Sequence, residues 1–305
     1  MQKLTIGSRR SQLAQVQSRL VRQLLLESCS NLKVTIKLMD TQGDLNRTDP
    51  LPAIGGKGLF THALEEALRQ SQIDLAVHSL KDLPVEDSPG LTVLAMPPRD
   101  ATHDLLVSRR ASRIEDLPAG AVVGTSSLRR AAQLLALRPD LCLKDIRGNV
   151  DTRLRKLDDP ALGYDAIILA QAGLNRLGYT QLEYAHPIPH QLILPAPGQG
   201  ALGVQGRAAD PVTARLLQPL DHAPTRAAVT AERAFLAGLG GGCSIPVGAL
   251  AQVEAGQLQL QTVVARPNGQ RIIRLSHHGP LELAQQIGRE LAAEALAQGA
   301  QALLN

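Results

Sequence analysis

Lys3-Leu4-Thr5-Ile6 runs directly into Gly7-Ser8-Arg9-Arg10-Ser11. The first four residues read as a strand, and the glycine and polar residues after them read as a turn. A helix is predicted beyond it, with Leu13, Val16, Leu20 and Leu24 at helical spacing and Ser11 as N-cap. The positive end of a helix and its free backbone N–H groups attract anions, which places Arg9, Arg10 and Ser11 where an anionic ligand would sit. Capping plus solvated charge accounts for the same residues, and both readings stay open.

The unit recurs. Ala121-Val122-Val123-Gly124 is a strand, Thr125-Ser126-Ser127 a hydroxyl-rich turn, and Leu128-Arg129-Arg130 a helix start with Leu134, Leu135 and Leu137 as its apolar side. Two arginines in a first helical turn oppose the helix dipole unless an anion sits between them, so a ligand is expected there. Leu141 to Ile146 leads to Arg147-Gly148-Asn149, with Asn149 as cap and Arg153 in the next helix. Ala166 to Ala170 is a core strand before a short helix carrying Arg176. Ile73 to Val77 ends in His78-Ser79-Leu80-Lys81-Asp82-Leu83-Pro84. Open α/β sheets bind ligands at the carboxyl ends of their strands, where Lys81 offers a cation and Asp82 a carboxylate. His78 reads as a satisfied core residue.

Alternation of strands and helices predicts an α/β fold. Two proline-rich crossings, Met96-Pro97-Pro98-Arg99 and Pro195-Ala196-Pro197-Gly198-Gln199-Gly200, imply a chain that leaves one lobe, builds a second and returns, with a hinged cleft. The expected domains are 1–98 with 196–218, then 99–195, then 219–305. In the last, Val247 to Glu254, Leu258 to Ala265 and Gln270 to Ser276 read as antiparallel strands, with Pro267-Asn268-Gly269 as a hairpin turn and a closing helix over Leu281 to Gln298. Lys57 lies in a long connection from Gln42 to Gly58 and reads as a single charge on a movable loop; its surroundings do not form a Walker A motif.

Leu239-Gly240-Gly241-Gly242-Cys243-Ser244-Ile245-Pro246 presents a thiol after three glycines. Such a backbone turns sharply and admits close approach. The alternative is a helix C-cap followed by a structural cysteine. Cys29 and Cys142 read as core thiols. The three cysteines of the 305 residues match no zinc or disulfide pattern, which suits a reducing compartment. A net charge of +4 raises nucleic acid as a partner, but 2% aromatic content leaves few stacking platforms, so small acidic ligands fit better. With no long apolar run, no membrane span is expected.

The order of Gly7-Ser8-Arg9-Arg10-Ser11-Gln12-Leu13-Ala14, Gly55-Gly56-Lys57-Gly58-Leu59-Phe60, His78 to Pro84, Gly124 to Arg130, Arg147-Gly148-Asn149 and Gly241-Gly242-Cys243 resembles the porphobilinogen deaminase family over essentially the whole chain. The resemblance implies two periplasmic-binding-protein-like α/β lobes plus a small α+β C-terminal domain. It implies a dipyrromethane cofactor joined by a thioether to Cys243, onto which porphobilinogen units condense with loss of ammonia before water releases the linear tetrapyrrole. Carried over, Asp82, Arg9 and Lys81 are catalytic. Lys81, Asp82, Thr125, Ser127, Arg129, Arg130, Arg147, Arg153 and Gly242 bind the cofactor. Arg9, Ser11, Gln17, Lys57, Arg147, Arg153, Arg176 and Gln199 bind substrate. No metal, nucleic acid or membrane is implied, and a cytoplasmic monomer is expected. Ala53 stands where some members carry lysine, so the loop has one charge fewer. A non-catalytic two-lobed binder of polycarboxylates would use the same arginines, and a covalent adduct distinguishes the enzyme from it; an RNA-binding protein would instead lose affinity steeply with salt.

Overall fold

A computed structural model describes residues 2–41, 61–241 and 245–304. In chain order it contains β1 (Gln2–Arg9), α1 (Gln12–Ser28), β2 (Leu32–Met39), α2 (His62–Arg69), β3 (Leu75–Ser79), β4 (Leu91–Ala95) and β5 (Asp104–Val107). Next come β6 (Val122–Gly124), α3 (Leu128–Leu137), β7 (Cys142–Lys144), α4 (Val150–Asp158), β8 (Ala166–Ala170), α5 (Gln171–Arg176) and β9 (Ala185–Pro187). The remainder is β10 (Leu202–Arg207), α6 (Pro211–Leu217), α7 (Ala223–Gly238), β11 (Val247–Glu254), β12 (Gln257–Ala265), β13 (Ile272–Pro280), α8 (Ala284–Ala297) and α9 (Gln301–Leu304). The chain forms two compact units, Met1–Asp100 with Ala201–Arg226 and Ala101–Gly200 with Ala227–Asn305.

The first unit holds a five-stranded sheet in the order β2-β1-β3-β10-β4. β1 runs parallel to β2 and β3, whereas β10 is antiparallel to β3 and β4. Helices cover the sheet on both faces, so its strands bury both sets of side chains. Leu4, Ile6, Leu75 and Val77 pack with Val21 and Leu25 of α1. Ala76 packs with Ile73 and with Leu64 and Leu68 of α2.

The second unit repeats this plan as β7-β6-β8-β5-β9, with β6 parallel to β7 and β8, and β5 antiparallel to β8 and β9. In each sheet the antiparallel strand is the one that follows a proline-rich crossing. The α/β reading therefore holds, and the sheet orders make the two lobes topological copies.

The second unit also carries an antiparallel sheet, β11-β12-β13, with Ala284, Ile287 and Leu291 of α8 buried. Gly269, at the tip between β12 and β13, has φ of +74° and lies against α3: a Cβ there would fall 2.5 Å from Ala136 N. The expected turn thus also joins this sheet to the second lobe. Ala249 N donates to Pro195 O, a further link.

Three local readings are corrected. The buried face of α1 is Ala14, Gln17, Ser18, Val21 and Leu25, while Leu20 is 39% exposed. The buried face of α3 is Arg129, Arg130, Ala132, Gln133 and Leu134, with Leu137 facing solvent. Cys142 is exposed, because β7 is a short edge strand whose Leu143 is the side chain packed toward the core.

Candidate active site

In the first unit the expected residues gather at the carboxyl ends of the neighbouring parallel strands β1 and β3. Arg9 ends β1, and Ser11 caps α1 by accepting a hydrogen bond from Ala14 N at 3.4 Å. Arg10 pairs with Asp40 at 2.6 Å on the surface. Gln17 is buried and donates through Nε2 to Ser79 Oγ at 2.9 Å. This bond pins α1 to the end of β3.

After β3 the chain makes a single 3-10 turn, Leu80–Asp82. Leu80 is fully buried, its N–H donating to Ala201 O at 3.0 Å, and Leu83 is buried just beyond the turn. These two anchors present Lys81 half-buried and Asp82 exposed. His78 points inward, its Nε2 3.1 Å from Gln205 Oε1. It is a satisfied core residue, as its position suggested.

In the second unit the turn after β6 is held by its own hydroxyls. Ser126 Oγ donates to Ile146 O at 3.0 Å and accepts from Ile146 N at 3.1 Å. Thr125 Oγ1 accepts from Ser127 N at 3.2 Å, and Ser127 Oγ caps α3 at Arg130 N, 3.5 Å away.

Arg129 and Arg130 are 5% and 7% exposed. Arg129 Nη1 lies 2.7 Å from Asp104 Oδ2, and Arg130 Nη2 lies 2.7 Å from Asp104 Oδ1. Burial by itself would raise the Asp104 carboxyl, but the two guanidiniums outweigh it and hold it well below the usual carboxylate range. Asp104 thus places an anion from the chain itself between the two arginines at the positive end of α3. Gln199 is fully buried and donates to Thr102 O at 2.8 Å and Asp104 Oδ1 at 2.9 Å. These bonds tie the second crossing segment to the start of β5.

Arg147, Arg153 and Arg176 are half-buried and follow the carboxyl ends of β7 and β8. Arg153 Nε donates to Gly148 O at 2.8 Å, and Arg176 Nη2 to Gly200 O at 2.5 Å. Asn149 occupies the N-cap position of α4, but its side chain makes no capping bond.

α7 ends in a Schellman motif. Gly241 N donates to Leu236 O at 3.1 Å and Gly240 N to Ala237 O at 2.9 Å, with Gly240 at φ +68°. The first two glycines therefore terminate the helix. Gly242, Cys243 and Lys57 lie outside the described residues. Sequence reading missed Asp104, whose only local signal is a lone acid at the head of the apolar stretch Leu105-Leu106-Val107. Among the described residues no His, Cys, Asp and Glu cluster could hold a metal ion, and no helix is long and apolar enough to cross a membrane.

Two topologically matched α/β lobes, with cations, hydroxyls and the exposed carboxylate of Asp82 at the carboxyl ends of their parallel strands, define a two-lobed α/β protein whose strand ends are equipped to hold anionic groups. The family model "Porphobilinogen deaminase, dipyromethane cofactor binding domain" matches residues 4–215, and "Porphobilinogen deaminase, C-terminal domain" matches 226–297. The chain belongs to the porphobilinogen deaminase family. Over 303 residues it is 49% identical to the porphobilinogen deaminase of Roseiflexus castenholzii, covering 99% of this chain and 98% of that protein. It is 48% identical to that of Desulforudis audaxviator over 301 residues, covering 99% and 96%. Among solved structures it is similar to the methionine binding protein MetQ, at 12% identity and a TM-score of 0.45, over 72% of this chain and 89% of that one.

The activity is that of a transferase of tetrapyrrole biosynthesis, hydroxymethylbilane synthase, with dipyrromethane as cofactor. Porphobilinogen units condense head to tail with release of ammonia, and hydrolysis frees the linear tetrapyrrole.

Proposed function

We propose that Asp82 is the acid–base and charge-stabilising group of the condensation, and that Cys243 carries the dipyrromethane by a thioether next to Gly242. The observation that carries the role of Asp82 is its exposed carboxylate on a short turn fixed by buried Leu80 and Leu83, beside Lys81. The donor set suits the cofactor, whose pyrrole N–H groups need an acceptor and whose acetates and propionates need cations and hydroxyls. When bound, the dipyrromethane supplies the pyrrole end to which each new unit joins.

Asp82 accepts from pyrrole N–H groups, stabilises positive charge developing on the substrate ring and takes up the proton lost on joining. Lys81, Arg9, Ser11, Arg147, Arg153 and Arg176 bind carboxylates, with Thr125, Ser127 and Lys57 assisting. Arg129 and Arg130 support the same turn from within. The division into 1–98 with 196–218, 99–195 and 219–305 belongs to this reading, supported by three separate sheets. The protein acts as a cytoplasmic monomer on the route to haems or chlorophylls, without nucleic acid or membrane.

Single-turnover addition of porphobilinogen to loaded protein tests the role of Asp82, with melting temperature as the folding control. Asp82→Asn keeps the shape but loses the charge and the proton site. It should stay folded and loaded, and lose roughly 10²–10⁴-fold in rate. Asp82→Glu should lose less. Near-normal addition by folded Asp82→Asn would remove Asp82 from the reaction.

A further inference from the structure

Asp104 opens β5 with its side chain fully buried, and three side-chain donors converge on it: Arg129, Arg130 and Gln199. The same donors also hold backbone. Arg129 Nη1 reaches Leu194 O at 2.7 Å, Arg130 Nη1 reaches Ile168 O at 2.9 Å, and Gln199 Nε2 reaches Thr102 O at 2.8 Å. Gln133 binds Leu194 through both amide atoms. One carboxylate thus ties together the start of β5, the first turn of α3, β8 and the second crossing segment.

Two further features go beyond simple support. Two buried guanidiniums face one carboxylate, which leaves excess positive charge at the positive end of α3. Each guanidinium also keeps a buried Nε without a hydrogen-bond partner. Buried donors are normally satisfied, so the cluster retains unused capacity next to the turn Thr125–Ser127.

We propose that Asp104 is a positioning residue for cofactor loading. Its carboxylate holds Arg129 and Arg130 in one orientation and partly neutralises them. The turn and the segment Leu194–Gly200 are thereby set in the arrangement that accepts an anionic dipyrromethane, and the net charge there still favours an anion. Without Asp104 the two guanidiniums repel each other and turn toward other acceptors. The proposal rests on the cofactor-binding role given above to Thr125 and Ser127.

Loading of the full-length apo chain with porphobilinogen tests it, with the adduct on Cys243 followed by intact mass against time and melting temperature measured in parallel. Asp104→Asn should load roughly ten- to a hundredfold more slowly than wild type, as expected when a supporting group lets a site shift. Leu106→Ala, a cavity variant in the same strand, controls for lost stability and should load at the wild-type rate. Formate, a small carboxylate, should restore loading to Asp104→Ala. Where Asn does not fold, Asp104→Glu keeps the buried charge, moves it by a methylene and should also load slowly.

The proposal is overturned if the folded Asp104 variants load as fast as wild type, or no more slowly than Leu106→Ala. It is equally overturned if formate restores the melting temperature of Asp104→Ala but not its loading. Normal addition by Asp82→Asn would sink the turnover reading alone, because loading is scored by mass and not by turnover.

Discussion

His78 shows how a single side chain couples this fold to pH. It sits fully inside the first unit, with Gln205 as partner and Gln205 Nε2 in turn 3.3 Å from Glu65 Oε1. Burial lowers its pKa from 6.5 to about 4, with Gln205 and Glu65 opposing and Arg9 assisting. The unfolded chain therefore binds this proton below pH 6.5, whereas the folded chain refuses it until about pH 4. Stability is unaffected by His78 above that window and falls as pH drops through it, by about 3 kcal/mol in all. Melting temperature measured from pH 7 to 4 should thus decline less steeply in His78→Gln, which keeps a hydrogen bond and does not titrate. Parallel curves for the two proteins would contradict the assignment. That His78 is a core residue was legible, since it closes an apolar strand. That its partner is Gln205 was not, because the two are brought together only by the pairing of β3 with β10.

At the scale of the element, α1 separates hydrophobic pattern from burial. Its leucines mark a stripe through Leu13, Leu20 and Leu24, yet the helix turns Gln17 and Ser18 inward. The bond from Gln17 to Ser79 sets this rotation, since a buried amide left without a partner would be costly. Leu20→Gln should change stability by no more than about 0.5 kcal/mol. Leu25→Ala, at a fully buried site, should cost about 2–5 kcal/mol. Urea unfolding of the two variants checks the contrast, and comparable losses would restore the leucine stripe as the core face. α3 teaches the same lesson with charge: its leucines mark the apolar side in sequence, but its arginine pair belongs to the buried face, because Asp104 of β5 meets it there.

For the whole molecule, the second crossing segment is where the second lobe and the third sheet become one unit. Glu232 of α7 is fully buried and accepts from Gly198 N at 2.6 Å and from Ala251 N of β11 at 2.8 Å. Its carboxylate spans the crossing, the helix before the cysteine and the strand after it. Glu232→Ala leaves both N–H groups without this acceptor, and each buried unsatisfied donor costs about 1–3 kcal/mol. The variant should melt lower and be cut by protease near Gly198, which lies in a segment without regular structure. An unchanged melting temperature and cleavage pattern would show that the sheet is held to the lobe by other contacts.

What the sequence by itself determined was local. Strand–turn–helix units, the capping serines, the hairpin at Asn268-Gly269, the helix stop at Gly240 and the order of the motifs depend on neighbours within a few residues. Those neighbours are legible in one dimension because backbone sterics and capping act at short range. The tertiary structure decided which anion answers Arg129 and Arg130, which face of α1 is buried, that Cys142 lies outside and that Gln17 and Gln199 face inward. Each of these depends on a partner far along the chain: 25 residues from Arg129 to Asp104, and 95 from Gln199 to Asp104. A buried charge or amide takes its role from the group that satisfies it, and here sheet pairing and the crossings bring that group into place.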